Sequence, residues 1–160
     1  MTTREYLNQI NKINFMIEAK VEDEARLRAL ATKITVPMDS ERVKSTPDPD
    51  KMTKVVAKII ELDDEIKAAV EELITKRKII YSQIDSIENP DYHKLLVCKY
   101  IHNLQPKEIA GKMCMSKSAV FMIQADALKN FEENFGHLYL LPADKRETGM
   151  KKQHNWRELD

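Results

Sequence analysis

The sequence predicts an all-α protein: a long antiparallel helical hairpin with the character of a coiled coil, followed by a C-terminal helix-turn-helix domain. Glycine is rare, with 3 residues in 160, and β-branched residues form no long runs, so strands are disfavoured. One segment repeats its apolar residues every seven positions, which is typical of a coiled-coil helix. A later segment has the apolar spacing of two short helices joined by a turn. We therefore predict a hairpin at 1–88 with a linker at 35–50, the helix-turn-helix at 90–135 and a flexible tail at 136–160.

The first arm of the hairpin is predicted from about Thr3 to Lys33, with Thr3 as a helix cap. Its apolar residues follow a four-three-four rhythm, which places them on one face of a helix. They are Tyr6, Ile10, Ile13 and Ile17. The stretch after this arm contains three helix-breaking prolines: Pro37, Pro47 and Pro49. It is therefore predicted to be the linker between the two arms.

The second arm is the most regular part of the sequence. We predict one helix from about Lys51 to Glu88, ended by Asn89-Pro90. Its apolar residues recur at heptad spacing: Met52, Ile59, Ile66, Leu73, Ile80 and Ile87. Val55, Leu62 and Ala69 fill the intermediate seam positions. Because neither arm can bury its apolar stripe alone, the two arms should pair antiparallel. The alternative is pairing between the long helices of two chains.

The helix-turn-helix is predicted within Lys107 to Leu128. Its first helix directs two apolar residues and one small residue toward the second helix: Ile109, Met113 and Ala110. Met115 lies in the turn, and Ser116 can cap the second helix. The second helix directs three residues back: Val120, Ile123 and Ala127. This is the spacing of the motif that places a recognition helix in the DNA major groove.

The residues expected to contact DNA are polar or exposed positions of these two helices. They are Lys107, Lys112, Ser116, Lys117, Ser118, Phe121, Met122 and Gln124. Lys117 and Gln124 are expected to point outward and to contact base edges, while the three lysines form a modest phosphate-binding patch. One copy of the chain should bind DNA weakly, because this patch is small. The sequence therefore predicts either a homodimer, in which two weak contacts act together, or help from a second protein.

A wider pattern surrounds this motif and can be matched residue by residue. It comprises Leu96, Tyr100, Leu104, Glu108-Ile109-Ala110, Met113, Ser116, Val120, Ile123, Ala125 and Ala127-Leu128. These residues resemble region four of bacterial sigma factors, the part that contacts the −35 promoter element. The whole arrangement, from about Tyr6 to Phe135 and including the stretch Glu41 to Ile66, is similar to a family of small phage and prophage proteins of unknown function. Related phage proteins are thought of as transcriptional regulators, some of them late-gene activators.

This resemblance implies a DNA-binding transcriptional regulator of phage or prophage origin, with double-stranded DNA and RNA polymerase as partners. Ala119, Phe121 and Asp126 stand where the sigma pattern usually has basic residues. The alternative is therefore a protein-interaction module that docks on RNA polymerase or another partner without specific DNA binding.

Composition and the remaining motifs favour no catalytic role. The chain has 26 basic and 26 acidic residues, so its net charge of zero does not by itself favour a nucleic-acid partner. Cys98 and Cys114 have no metal-ligand spacing, and neither a glycine-rich phosphate loop nor an H-E-x-x-H motif occurs. We therefore expect no enzyme, no cofactor and no metal. The polar N-terminus and the short apolar runs predict a cytoplasmic protein without a signal peptide or membrane span.

Overall fold

The computed structural model describes residues 1–35 and 49–140, and every regular element within these ranges is helical. The predicted fold class, all-α, is confirmed. Most of the predicted linker and most of the predicted tail lie outside the described residues. The helices are α1 (Thr3–Leu7), α2 (Gln9–Thr35), α3 (Pro49–Asp85), α4 (Pro90–Leu96), α5 (Pro106–Met113) and α6 (Lys117–Phe135). A π-helical turn (Val97–Ile101) follows α4, and a 3₁₀ turn (Gly136–Leu138) follows α6.

The chain divides into two compact units. The terminal unit consists of Met1–Gln9 together with the chain from Lys78 onward, and the central unit is Ile10–Arg77. The long helix α3 therefore contributes its first 29 residues, 49–77, to the central unit and its last turns to the terminal unit.

The first arm begins at Thr3 as predicted, but it is divided at Asn8 into α1 and α2, and its cap lies one residue earlier than expected. Thr2, not Thr3, is the N-cap: its hydroxyl accepts a hydrogen bond from the Glu5 N–H at 3.2 Å, and the Glu5 carboxylate accepts one from the Thr2 N–H at 2.7 Å. This reciprocal capping box lowers the pKa of Glu5 because the Thr2 N–H stabilises the carboxylate. Thr3 is buried instead, and its hydroxyl donates to Glu132 of α6 at 2.6 Å. The predicted cap is thus a contact between distant parts of the chain.

In the central unit, the heptad positions of α3 are the less exposed ones. Val55 is buried, and Ile59, Leu62, Ile66 and Leu73 are half-buried. Lys20 of α2 forms an ion pair with Glu65 of α3. A groove is lined by residues of both helices: Arg28, Ala31 and Thr32 from α2, and Val56, Ile59, Ile60 and Asp63 from α3. The heptad pattern therefore identified the side of α3 that is turned away from solvent.

The terminal unit has a dense apolar core. Its largest fully buried side chains are Leu7, Ile80, Ile84, Leu95, Leu96, Tyr100, Ile109, Val120 and Phe131. An aromatic cluster lies beside them, in which the rings of Tyr6 and Tyr139 stack at 4.3 Å between centroids. The Tyr6 hydroxyl donates to Gln83 at 3.0 Å, and the Tyr139 hydroxyl donates to Thr3 at 3.1 Å. The first and last described segments of the chain therefore share one core.

The connection between α3 and α4 is longer than predicted, because α3 ends three residues earlier than expected. Helix α3 begins at Pro49 and ends at Asp85, whereas the expected range was 51–88. Asn89 then caps α4, because its side chain accepts from the Asp91 N–H at 3.0 Å, and Pro90 occupies the first turn. Within residues 1–35 and 49–140, no helix is both long enough and apolar enough to cross a bilayer.

Candidate nucleic-acid interface

Helix α5 starts at a capping box that the sequence contains in the residues Gln105 to Glu108. The Glu108 carboxylate accepts the Gln105 N–H at 2.7 Å. Pro106 occupies the first turn, where a missing N–H costs nothing because that N–H has no partner within the helix. Glu108 is therefore engaged with the backbone at the start of α5.

The turn between α5 and α6 spans Cys114 to Ser116 and depends on one residue in an unusual conformation. Cys114 is left-handed, with φ 54° and ψ 44°. This geometry lets the Met115 N–H donate to the Ala110 carbonyl at 3.0 Å, which closes the helix end. An L-residue in this region costs about 1–2 kcal/mol. Ser116 then starts α6, since its hydroxyl accepts the Ala119 N–H at 3.2 Å.

The residues that face each other between α5 and α6 are those that the spacing predicts. Ile109, Ala110 and Met113 of α5 are buried. Val120 and Ala127 of α6 are buried too, and Ile123 is half-buried. The two helices pack directly on each other. The outer surface of α6 is therefore available for a partner along its first two turns.

Seven of the eight predicted DNA-contacting residues are exposed: Lys107, Lys112, Ser116, Lys117, Ser118, Phe121 and Met122. Phe121 is 55% exposed and Met122 is 71% exposed, so neither contributes to the core. Ser116 uses its hydroxyl as the helix cap.

The prediction that Gln124 points outward is wrong. Gln124 is only 8% exposed. It follows Val120 by four residues and precedes Ala127 by three, so the helical period puts it on the buried face of α6. The amide group of Gln124 is typical of a residue that contacts a base, but its position in the helical period predicts burial, and the position is decisive. The exposed face of α6 therefore contains no amide among the predicted contact residues.

Gln124 lies beside a buried phenol. Tyr100 is 1% exposed, and its hydroxyl has no hydrogen bond of good geometry among the described residues. Burial raises the pKa of Tyr100 above its usual value of 10.0, and the nearby charge of Arg4 and the Gln124 amide oppose this rise only in part. These groups belong to the core of the terminal unit, not to its contact surface.

The charge of this region is unevenly distributed along the chain. Between residues 94 and 117 there are five lysines and one acidic residue, Glu108. The Lys94 ammonium donates to the Lys112 carbonyl at 3.1 Å, which holds it against the end of α5. The later part of α6 is acidic instead, with Asp126, Glu132 and Glu133 around one lysine. The first turn of α6 contains no acidic residue, so its N-terminal end is the electropositive one.

Within residues 1–35 and 49–140, no group of three His, Cys, Asp or Glu residues is placed to hold a metal ion. Cys98 is buried and Cys114 is exposed, and both are free thiols.

Comparison with known proteins gives the family. The family model of DUF1492, described as proteins of unknown function, matches residues 34–132. No curated protein and no solved structure matches the chain. The matched range contains α3, α4, α5 and nearly all of α6, and it is more than half of the sequence. The chain therefore belongs to the DUF1492 family of proteins of unknown function.

Proposed function

We propose that this protein is a DNA-binding transcriptional regulator of phage or prophage origin, which contacts a promoter-like site through α5 and α6 acting as a helix-turn-helix. The observation that carries the proposal is the connection between these helices. A left-handed Cys114, a capping Ser116 and a buried Ile109–Val120 interior together match the way in which such motifs present their second helix. The resemblance to region four of sigma factors in the sequence supports the same function.

The long helices are proposed to form the antiparallel hairpin that the sequence predicts. Lys20, near the middle of α2, pairs with Glu65 of α3, whereas the later Arg28 shares a groove with the earlier Ile59 and Ile60. Later residues of α2 therefore meet earlier residues of α3. In the proposed regulator this hairpin holds partners, either a second copy or RNA polymerase, while α5 and α6 contact DNA.

The proposed DNA surface depends on charge more than on base recognition. Three exposed lysines would contact phosphates: Lys107 in the first turn of α5, Lys112 in its last turn and Lys117 at the start of α6. Phe121 and Met122 are placed to contact thymine methyl groups. Because Gln124 is buried, Lys117 is the remaining predicted residue with the reach and charge to bind a base edge. Affinity from one copy is therefore expected to be low, which is why a homodimer or a polymerase partner is part of the proposal. Neither a catalytic activity nor a cofactor is proposed.

A second function is favoured by one feature of α6. Phe121 and Met122 are adjacent, large and exposed, whereas a DNA-contacting helix usually presents Arg, Lys, Asn or Gln there. A pair of exposed apolar side chains is also the chemistry of a protein-docking site. The alternative is that this face binds RNA polymerase or another protein, and that DNA contacts are not specific.

A test on DNA starts with selection of bound duplexes from a random pool, followed by gel shifts of the selected duplex at rising salt. We expect Lys117→Ala to weaken binding by about 1–3 kcal/mol if Lys117 contacts a base. Lys112→Ala should reduce the slope of log affinity against log salt by about 1, since one phosphate contact is lost. Lys129→Ala is the matched control, because Lys129 is an exposed lysine of the same helix in its acidic half.

The result separates the two functions. If no duplex is enriched, or if Lys117→Ala binds as Lys129→Ala does, specific DNA binding through α6 is wrong. Capture of purified RNA polymerase then tests the alternative. Phe121→Ala and Met122→Ala should reduce that capture, whereas Leu138→Ala, another exposed apolar residue of the terminal unit, should not.

A further inference from the structure

Helix α3 has a second apolar stripe whose four apolar members are exposed, although its first half borders the groove that α3 shares with α2. It lies next to the heptad seam and is also spaced by alternating steps of four and three. Its members, here called the second stripe, are Val56, Ile60, Asp63, Lys67, Val70 and Ile74. At 3.6 residues per turn they fall within a sector of about 80° and extend over about 27 Å of the helix. All six residues belong to the central unit.

The apolar members of the second stripe are exposed. Ile60 is 58% exposed and Ile74 is 62% exposed, and both Val56 and Val70 are exposed as well. The two charged members form an ion pair within the helix, with the Lys67 ammonium 2.9 Å from the Asp63 carboxylate. That hydrogen bond raises the pKa of Lys67. The stripe thus has an apolar pair, a charged pair and a second apolar pair in sequence.

This order is self-complementary under a two-fold axis. Consider two copies of α3 packed antiparallel, with the axis at the level of residue 65. Residues equally far before and after that level then face each other. Val56 faces the partner's Ile74, and Ile60 faces the partner's Val70. Asp63 faces the partner's Lys67, and the same contacts repeat on the other side of the axis. Every apolar residue meets an apolar residue, and every charge meets its opposite.

The central unit also has a physical need for such a partner. Among its described residues only Ile10, Ile13 and Val55 are buried apolar side chains. Two paired helices have little interior, because each can bury only one side. A second copy placed on the second stripe would remove further apolar surface from water, at about 25 cal/mol for each Å².

We propose that α3 docks antiparallel on the α3 of a second copy through the second stripe, centred at residue 65. This inference deepens the proposed regulator, since it rests on the proposed homodimer and names the surface that forms it. It commits to a second copy of this chain because the stripe is complementary to itself in charge and in the order of its apolar pairs. A surface that binds a different protein would not need to be complementary to itself.

The test exchanges the charges, using the full chain and light scattering with size-exclusion chromatography at micromolar concentration. The wild-type protein should have twice the single-chain mass of 18.6 kDa. Asp63→Lys places lysine against the partner's Lys67, and Lys67→Asp places aspartate against the partner's Asp63. Under the two-fold axis each of these contacts occurs twice in the dimer. Each variant should weaken the dimer by about tenfold or more, since opposed like charges are costly across an interface.

Mixing the two single variants gives the decisive result. A mixed dimer has lysine at 63 and 67 in one chain and aspartate at both positions in the other. Both contacts between position 63 of one chain and position 67 of the other then join opposite charges again. The mixture should therefore recover the doubled mass, although neither variant does so alone. Lys58→Glu is the matched control: Lys58 is an exposed residue on the opposite side of α3, where it pairs with Glu61, and its reversal should leave the dimer unchanged.

Several outcomes would overturn the proposal. They are a wild-type protein that stays at 18.6 kDa, single variants that dimerise as the wild type does, or a mixture that remains monomeric. Circular dichroism of each variant shows whether α3 is still helical, so a failed fold is distinguished from a broken interface. The DNA surface is tested by Lys117→Ala, which leaves the second stripe intact. Failure of DNA binding and failure of the dimer surface are therefore distinguishable.

Discussion

The two units of this protein differ in how completely they bury their apolar residues. In the terminal unit, Leu7, Leu96 and Phe131 are fully buried, and rings from both ends of the described chain pack together. In the central unit, the heptad residues Ile66 and Leu73 are only half-buried. Both units are helical and both follow a regular apolar pattern. A regular pattern therefore fixes which side of a helix is apolar, but the number of neighbouring elements fixes how well that side is covered.

The largest effect is expected from a matched pair of leucine substitutions. Leu96→Ala in the terminal unit should lower the free energy of unfolding by about 2–5 kcal/mol, because it empties a site that is fully buried. Leu73→Ala in the central unit should cost roughly 1 kcal/mol, since part of its side chain is already in water. Urea unfolding of both variants at one protein concentration measures the difference. Equal losses would show that the central unit is covered as completely as the terminal unit.

A pH dependence of the free energy of unfolding should arise in the terminal unit from one buried phenol, Tyr100, and one half-buried phenol, Tyr139. Burial raises the pKa of Tyr100 and of Tyr139 above 10.0. Since the unfolded chain releases these protons at lower pH than the folded one, stability is fully present below about pH 10 and falls as the pH rises through the raised values. Unfolding free energies measured from neutral to strongly alkaline pH should show this loss.

Tyr100→Phe is the control for that loss. It removes one titrating group together with a buried hydroxyl that has no partner among the described residues, so it should be neutral or stabilising by about 1 kcal/mol at neutral pH. It should also flatten the alkaline decline. A variant that is destabilised by several kcal/mol would mean that the hydroxyl is satisfied in solution.

The smallest expected effects lie at the end of α5 and in the turn after it, where two residues are not the ones that the backbone conformation favours. Gly111→Ala should stabilise by about 0.5–1 kcal/mol, because a Cβ there meets nothing within 4 Å and alanine favours the helix. Cys114→Gly should stabilise by a similar amount, since glycine adopts a positive φ without strain. Thermal unfolding measures both. The reverse test is Cys114→Val, which should destabilise because a β-branched residue is least tolerated there.

The comparison of the two units also explains what the sequence could predict. Heptad spacing located α3 and its less exposed side, and the spacing of Ile109, Met113 and Val120 located the buried residues between α5 and α6, because both follow from the helical period alone. Gln124 follows the same period, so its position predicts burial, whereas its amide chemistry predicts a contact with a base. The side of a helix is therefore predicted more securely than the role of a side chain.

The first cap has a local signal, because Thr2 and Glu5 have the T-x-x-E spacing of a capping box. The contact between Thr3 and Glu132 has no such signal. The π-helical turn at 97–101 and the stacking of Tyr6 on Tyr139 likewise depend on how distant segments meet. Such features follow from tertiary packing, which a single sequence does not specify position by position.

The hydrogen bond between Thr3 and Glu132 has a consequence for the synthesis of the chain. The two residues are 129 positions apart in sequence, and the first nine residues belong to the same unit as the chain from Lys78 onward. During translation α1 emerges early, but its packing surface on α6 appears only after most of the chain has left the ribosome. The central helices can therefore fold first, while Leu7 of the N-terminal segment stays exposed to solvent until the rest of the terminal unit is synthesised. Closure of this long loop should be a late step of folding, and a chain arrested before α6 should expose an apolar segment to chaperones and proteases.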